Sequence, residues 1–233
     1  MPGSKFPTTS WSLVLRAAAA EPQSALEQFC GAYRAPVLAY IRSHIADPQE
    51  AEDLTQTFFA NLVEAHTLHT VRPDIARFRS YLLASVRHFL ANERDKVQAL
   101  KRGGRTTFLP LDGEGDRPML EPRDDRTPEL LFERKWAYLL LSRALARVRK
   151  HYEHIGLARD FEALKACLAR SGDHPRYGEI AARLETTEAA VKMAVHRMRE
   201  RFGEALRAEV ANTVAGPGDV EDEIRHLLTV VSG

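Results

Sequence analysis

The sequence predicts an all-α protein: two helical domains joined by an acidic flexible linker, the C-terminal one a helix-turn-helix. Three observations carry that prediction. Apolar residues recur at three- and four-residue spacing along most of the 233 residues, and the two-residue alternation of strands is nearly absent. Gly113, Gly115, Pro118, Pro122 and Pro128 lie among acidic residues, in a stretch longer than connections inside one compact domain usually are. Toward the C-terminus a short amphipathic segment, a tight turn and a longer amphipathic segment follow one another. With 44% apolar and 28% charged residues, the chain can bury a real core and is not a disordered polymer.

The first clear helix start is Asp47-Pro48-Gln49-Glu50. Asp47 can cap, Pro48 suits the first turn, and Glu50 stands at the capping-box position. The helix is expected to reach about Ala65, with an inner stripe of Ala51, Leu54, Phe58, Leu62 and Ala65. Its second face carries Glu52, Asp53, Gln56, Phe59 and Val63. An aromatic and an aliphatic residue rimmed by polar groups is the make-up of a protein interface core. A further helix is expected from about Arg77 to Lys101, ended by Gly103-Gly104. It is basic, with Arg79, Arg87, Arg94, Lys96, Lys101 and Arg102 along its length, and Tyr81, His88 and Phe89 among them. Charges that track phosphates and rings that stack on bases suit single-stranded DNA, although Phe89 reads as a core residue. Helical patterning resumes near Pro128, runs through Trp136 to His151, and returns from Phe161 to Leu168.

Tyr177 to Leu184 reads as a short helix with Ile180 and Leu184 on one face. Glu185-Thr186-Thr187 is then a three-residue turn, and Glu188 to Phe202 a second helix with a core stripe of Val191, Ala194, Val195, Met198 and Phe202. In such an arrangement the second helix enters the major groove. The face away from that stripe carries Ala189, Lys192, Met193, His196, Arg197 and Glu200, with Thr187 at its start. Small residues permit close approach, and Lys192 and Arg197 can reach phosphates or guanine edges. The turn has Glu185 where many such turns use glycine for a positive φ.

These residues resemble a family. Ala51-Glu52-Asp53-Leu54-Thr55-Gln56-Thr57-Phe58-Phe59 is similar to the second conserved region of bacterial RNA polymerase sigma factors. Phe78-Arg79-Ser80-Tyr81-Leu82-Leu83, running on to Asn92-Glu93-Arg94, looks like the adjoining segment that melts and reads promoter DNA. Glu179-Ile180-Ala181 through Val191-Lys192 and His196-Arg197-Met198-Arg199 resembles the family's C-terminal helix-turn-helix. With only two regions and an acidic linker, the likeness is to the small extracytoplasmic-function (ECF) subfamily. It implies a sigma region 2-like domain over 25–105, a linker over 106–130 and a region 4-like domain over 131–212. Residues 1–24 form an N-terminal extension and 213–233 an acidic amphipathic helix.

That resemblance implies core RNA polymerase and promoter DNA as partners, with an anti-sigma factor or another regulator left open. Glu52, Asp53, Gln56, Phe59 and Val63 would meet the coiled coil of the largest polymerase subunit. Arg79, Tyr81, Arg87, His88, Arg94, Lys101 and Arg102 would work at the minus-ten element. Thr187, Ala189, Lys192, Met193, His196 and Arg197 would read the minus-thirty-five element. The residues by themselves leave open a stand-alone helix-turn-helix repressor or activator and, more distantly, a helical nuclease.

The same sequence argues against other classes. The apolar run Trp11–Ala20 is short and interrupted by Arg16, so neither a membrane span nor a signal peptide is expected. Cys30 and Cys167 are far apart with no CxxC, which fits a reducing cytoplasm. His66 with His69, and His151 with His154, read as solvated histidines rather than metal pairs. No phosphate loop, nucleophile elbow or metal constellation appears, so neither a catalytic site nor a cofactor nor a metal is expected. The net charge of +1 hides segregation: Arg72–Arg105 and Arg134–Lys150 are basic, Asp112–Glu133 and the tail acidic. In that tail Val220, Ile224, Leu227, Leu228 and Val231 recur at helical spacing after Gly216-Pro217-Gly218. So short a helix needs a surface to bury against.

Overall fold

The computed structural model describes residues 22–64, 77–102, 127–168 and 175–232. Among them are eight α-helices and no strand, in agreement with the all-α expectation. The helices are α1 (Pro22–Arg42), α2 (Pro48–Glu64), α3 (Phe78–Arg102), α4 (Pro128–His154), α5 (Ala158–Leu164), α6 (Tyr177–Leu184), α7 (Glu188–Ala211) and α8 (Val220–Ser232). Short 3-10 turns at Lys165–Leu168 and Pro217–Asp219 follow α5 and precede α8. The chain divides into two compact units, the first ending at Trp136 and the second running from Ala137 to Ser232. The expected 1–24 extension and 106–130 linker lie outside the described residues, apart from 22–24, which open α1, and 127–130, which cap and open α4.

In the first unit α1 packs on α2 and α3. The sequence pattern does not announce α1, because Pro36 sits inside it and removes a backbone donor. The helix persists because Phe29, Tyr33, Val37 and Ile41, one turn apart, are all fully buried. α2 begins as expected: the Asp47 carboxylate accepts from the Gln49 N–H at 2.7 Å and the Glu50 N–H at 3.4 Å. Its buried stripe is Ala51, Thr55, Phe58, Phe59 and Leu62. The Thr55 hydroxyl donates to the Ala51 carbonyl at 2.7 Å, so this polar group is buried with a partner. Aromatic rings dominate the centre. Phe29 meets Phe59 and Phe78 edge-on, each at 6.0 Å between ring centroids, and Phe58 meets Phe89 at 5.6 Å.

The first two turns of α4 belong to this aromatic core. Trp136 stacks on Tyr33 at 5.3 Å and Phe132 at 6.3 Å, and both Phe132 and Trp136 are fully buried. The two compact units part after Trp136, within one helix. Two stacked aromatics one turn apart hold the helix start to the first unit.

The second unit is built on Val148, Tyr152, Phe161, Leu164, Cys167, Ile180, Val191, Val195 and Met198. Gly156, at φ +76°, turns the chain from α4 toward α5, a conformation open to glycine. The turn between α6 and α7 solves the same problem with Glu185 at φ +55°. The Thr186 N–H reaches the Ala181 carbonyl at 3.0 Å and the Glu185 N–H the Ala182 carbonyl at 3.4 Å, the paired bonds of a Schellman motif. A non-glycine residue in this region costs about 1–2 kcal/mol, partly offset by the greater freedom that glycine loses on folding. Glu185→Gly should therefore raise the unfolding free energy by about 0.5–1 kcal/mol, read from urea titration of the full chain. A fall in stability would mean that the Glu185 side chain holds the turn.

α7 extends well past Phe202, because Leu206 and Val210 continue its buried stripe. α8 packs on α7, burying Val220, Leu227 and Val230, while Arg207 and Glu221 pair at 2.7 Å. Its stripe is rotated from the expected one: Leu228 is exposed and the Glu223 side chain is buried.

Candidate functional site

Three faces carry the sequence-predicted residues. On α7, Thr187 has extended backbone and its Oγ1 accepts from the Ala190 N–H at 3.2 Å, capping the helix. Val191, Val195 and Met198 turn inward. Thr187, Ala189, Lys192, Met193, His196 and Arg197 are all exposed, Met193 at 55%. His196 Nε2 lies 3.4 Å from a Glu200 oxygen. The helix is pinned from behind: Arg199 Nε and Nη2 both donate to the Cys167 carbonyl, at 3.1 and 2.7 Å. The start of α7 and α6 meet closely, since a Cβ on Gly178 would stand 2.6 Å from a Glu188 carboxylate oxygen. Backbone and buried side chains thus fix the orientation of the exposed face.

On α2 the predicted patch is split. Phe59 is 5% exposed and packs edge-on against Phe29 and Phe58. The expectation of an exposed Phe59 is corrected. Helical spacing carries Phe59 to the flank of the Phe58–Leu62 stripe, and the apolar surface of α1 covers it there. Asp53 and Gln56 are exposed. Glu52 is half-buried and held by two arginines of α1: Arg34, and Arg42 at 3.0 Å. The side chain of Val63 lies outside the described residues. A groove of about 240 Å³ runs beside this face, lined by Cys30, Arg34, Thr55, Gln56, Phe59 and Ala60. Burial raises the Cys30 thiol pKa above its ordinary value.

On α3 the predicted residues form two rows. Arg87 and Arg94 are exposed and seven residues apart, as are Tyr81, which is half-buried, and the exposed His88. At about 100° per residue the rows stand roughly a third of a turn apart. Tyr81 tilts against Phe78 at 6.2 Å. Arg79 departs from the expectation of a surface cation: it is 7% exposed and paired with Glu133 of α4. Its position next to Phe78 puts it at the rim of the aromatic core, where α4 closes over it. The side chains of Lys101 and Arg102 lie outside the described residues.

Residues 30–99, spanning most of α1 with all of α2 and nearly all of α3, match the family model of sigma-70 region 2. This part of the first unit is similar to sigma-70 region 2. This match supports a sigma factor of the sigma-70 family, with promoter recognition and transcription initiation as its role and core RNA polymerase and promoter DNA as its partners. No curated protein and no solved structure matches the chain.

Region 2 is thus the part of the chain where family and geometry meet. Its exposed polar face on α2 and its basic rows on α3 come from one three-helix core. Several residues that shape these faces escape sequence reading. Arg34 and Arg42 lie in a stretch with no legible helix, so their pairing with Glu52 has no visible register. Glu129 falls at the end of the expected linker and Glu133 at the start of the expected second domain, yet they meet region 2. The Tyr40 phenol donates to Glu129, and burial together with that carboxylate raises the Tyr40 pKa. Their four-residue spacing after Thr127-Pro128 is the signal that could have found them. Among the described residues no cluster of His, Cys, Asp and Glu is placed to hold a metal ion, and no helix is long and apolar enough to cross a membrane.

Proposed function

We propose that the chain is an ECF-type sigma factor, a non-enzymatic cytoplasmic subunit that works when bound to core RNA polymerase. Region 2 docks through the Asp53–Gln56 face of α2 and engages the minus-ten element through the exposed rows of α3. The α6–α7 pair reads the minus-thirty-five element as duplex. The single observation that carries this reading is the match of residues 30–99 to sigma-70 region 2. The exposed α7 face supports the second half: Lys192 and Arg197 suit phosphates and guanine edges, and Met193 suits a thymine methyl.

Physically, α7 supplies shape and charge rather than a reaction. Charge neutralisation dominates such binding, so promoter affinity falls steeply with salt. The test is run-off transcription with purified core polymerase and a library of promoter fragments. Specific initiation that depends on this chain supports the reading. DNA binding indifferent to polymerase would favour a stand-alone repressor or activator, and strand cleavage would favour a nuclease.

A further inference from the structure

We propose that Glu52 is a positioning residue of the α2 docking face: with Arg34 and Arg42 it staples α1 to α2 across Pro36, and it does not itself touch the polymerase. The proposal rests on the docking role proposed for Asp53 and Gln56 and names what holds those residues in place.

Both carboxylate oxygens of Glu52 are already engaged. Arg34 of α1 donates to one, and Arg42 of α1 donates to the other at 3.0 Å. The Glu52 side chain is 23% exposed, between arginines that are about half-exposed. Its neighbour Asp53 differs: it is exposed and accepts from Gln49 of the same helix at 3.2 Å. Arg34 and Arg42 stand about two helical turns apart along α1, with Pro36 between them. A proline inside a helix removes one backbone hydrogen bond and weakens that turn. One carboxylate of α2 therefore grips α1 on both sides of the turn that Pro36 weakens.

Burial supplies a different kind of constraint. Phe29, Tyr33, Val37 and Ile41 keep both halves of α1 on the core, but apolar burial is non-directional. Guanidinium–carboxylate pairs are directional, so the staple fixes the register of α1 on α2. That register shapes the groove beside α2. Cys30 and Arg34 of α1 line one side, and Gln56, Phe59 and Ala60 of α2 line the other. Arg34 belongs to both the staple and the groove wall, so a shift of α1 alters the edge on which Gln56 stands. A face already held in its bound geometry binds more tightly than one that must first be ordered.

Two double-mutant cycles on binding of the full chain to core polymerase test this. Glu52→Gln should weaken binding about tenfold, within what two half-exposed ion pairs supply. Arg34→Met/Arg42→Met keeps the aliphatic stems and should weaken binding by the same factor. The triple variant should be no weaker than either, because Glu52 acts through the arginines. In the second cycle, Gln56→Ala should cost less affinity in the Glu52→Gln chain than in the wild type. A merely structural Glu52 would show no such coupling. Circular dichroism should show the helical fold kept in every variant. A further loss on adding Glu52→Gln to the arginine variant would make Glu52 a direct contact and overturn the proposal. Full additivity with Gln56→Ala, or loss of the fold in Glu52→Gln, would defeat it too. Hydrogen exchange on the free chain keeps the staple distinct from the sigma reading. Glu52→Gln should speed exchange of the 38–42 amides about threefold, the worth of one half-exposed ion pair, and leave α7 unchanged. A wild-type chain that does not bind core polymerase defeats the sigma reading. Faster exchange at 38–42 would then still support the staple, and unchanged exchange would sink it. A wild-type chain that binds polymerase no better than Glu52→Gln defeats the positioning role alone.

Discussion

Phe59→Asp should unfold the first unit, costing more than about 4 kcal/mol. A carboxylate placed among Phe29, Phe58 and their neighbours would be charged, buried and without a partner. Loss of far-ultraviolet helical signal from the first unit, with core polymerase binding lost alongside, is the expected result. Gln56→Ala separates docking from folding. Gln56 is exposed on the same helix, so the protein should keep its melting temperature within the small range of surface substitutions while polymerase capture falls. A folded Phe59→Asp protein would return Phe59 to the surface.

Lys192→Ala combined with Arg197→Ala should nearly abolish promoter binding by the holoenzyme. Removing a side chain that bonds directly to a base edge costs about 1–3 kcal/mol, so the pair together reaches a hundredfold or more. Both side chains are exposed on α7, away from Val191, Val195 and Met198, and the fold should be unaffected. Titration at moderate salt on a mapped promoter gives the answer. Unchanged affinity would move the reading face elsewhere on the second unit.

How much of this is legible in the sequence depends on where the physical signal is local. The α2 start is readable because Asp47 caps its own helix, and the α6–α7 turn because helical spacing changes phase around Glu185. The face of α7 follows from its core stripe, since Lys192 and Arg197 lie about a third of a turn to either side of it. Phe59 misleads because the sequence does not show its neighbours. A residue on the flank of a helix stripe is core or surface according to what packs there, and Pro36 hides α1. Arg79 misleads for the same reason. Its partner Glu133 lies 54 residues along the chain, in a segment whose pattern reads as the start of the second domain. Electrostatic pairing at that separation leaves no periodic trace.

The groove beside α2 turns one side chain into a natural gauge. Of the two cysteines, Cys167 is fully buried, whereas Cys30 is half-buried at the groove edge beside Gln56. A single alkylation event per molecule, slow because burial keeps the Cys30 thiolate scarce at neutral pH, would thus report on this face alone. Labelling kinetics on the unmodified chain would count how often the face is covered. Protection by core polymerase, measured against its concentration, would yield an occupancy without a tag, a fluorophore or an engineered residue.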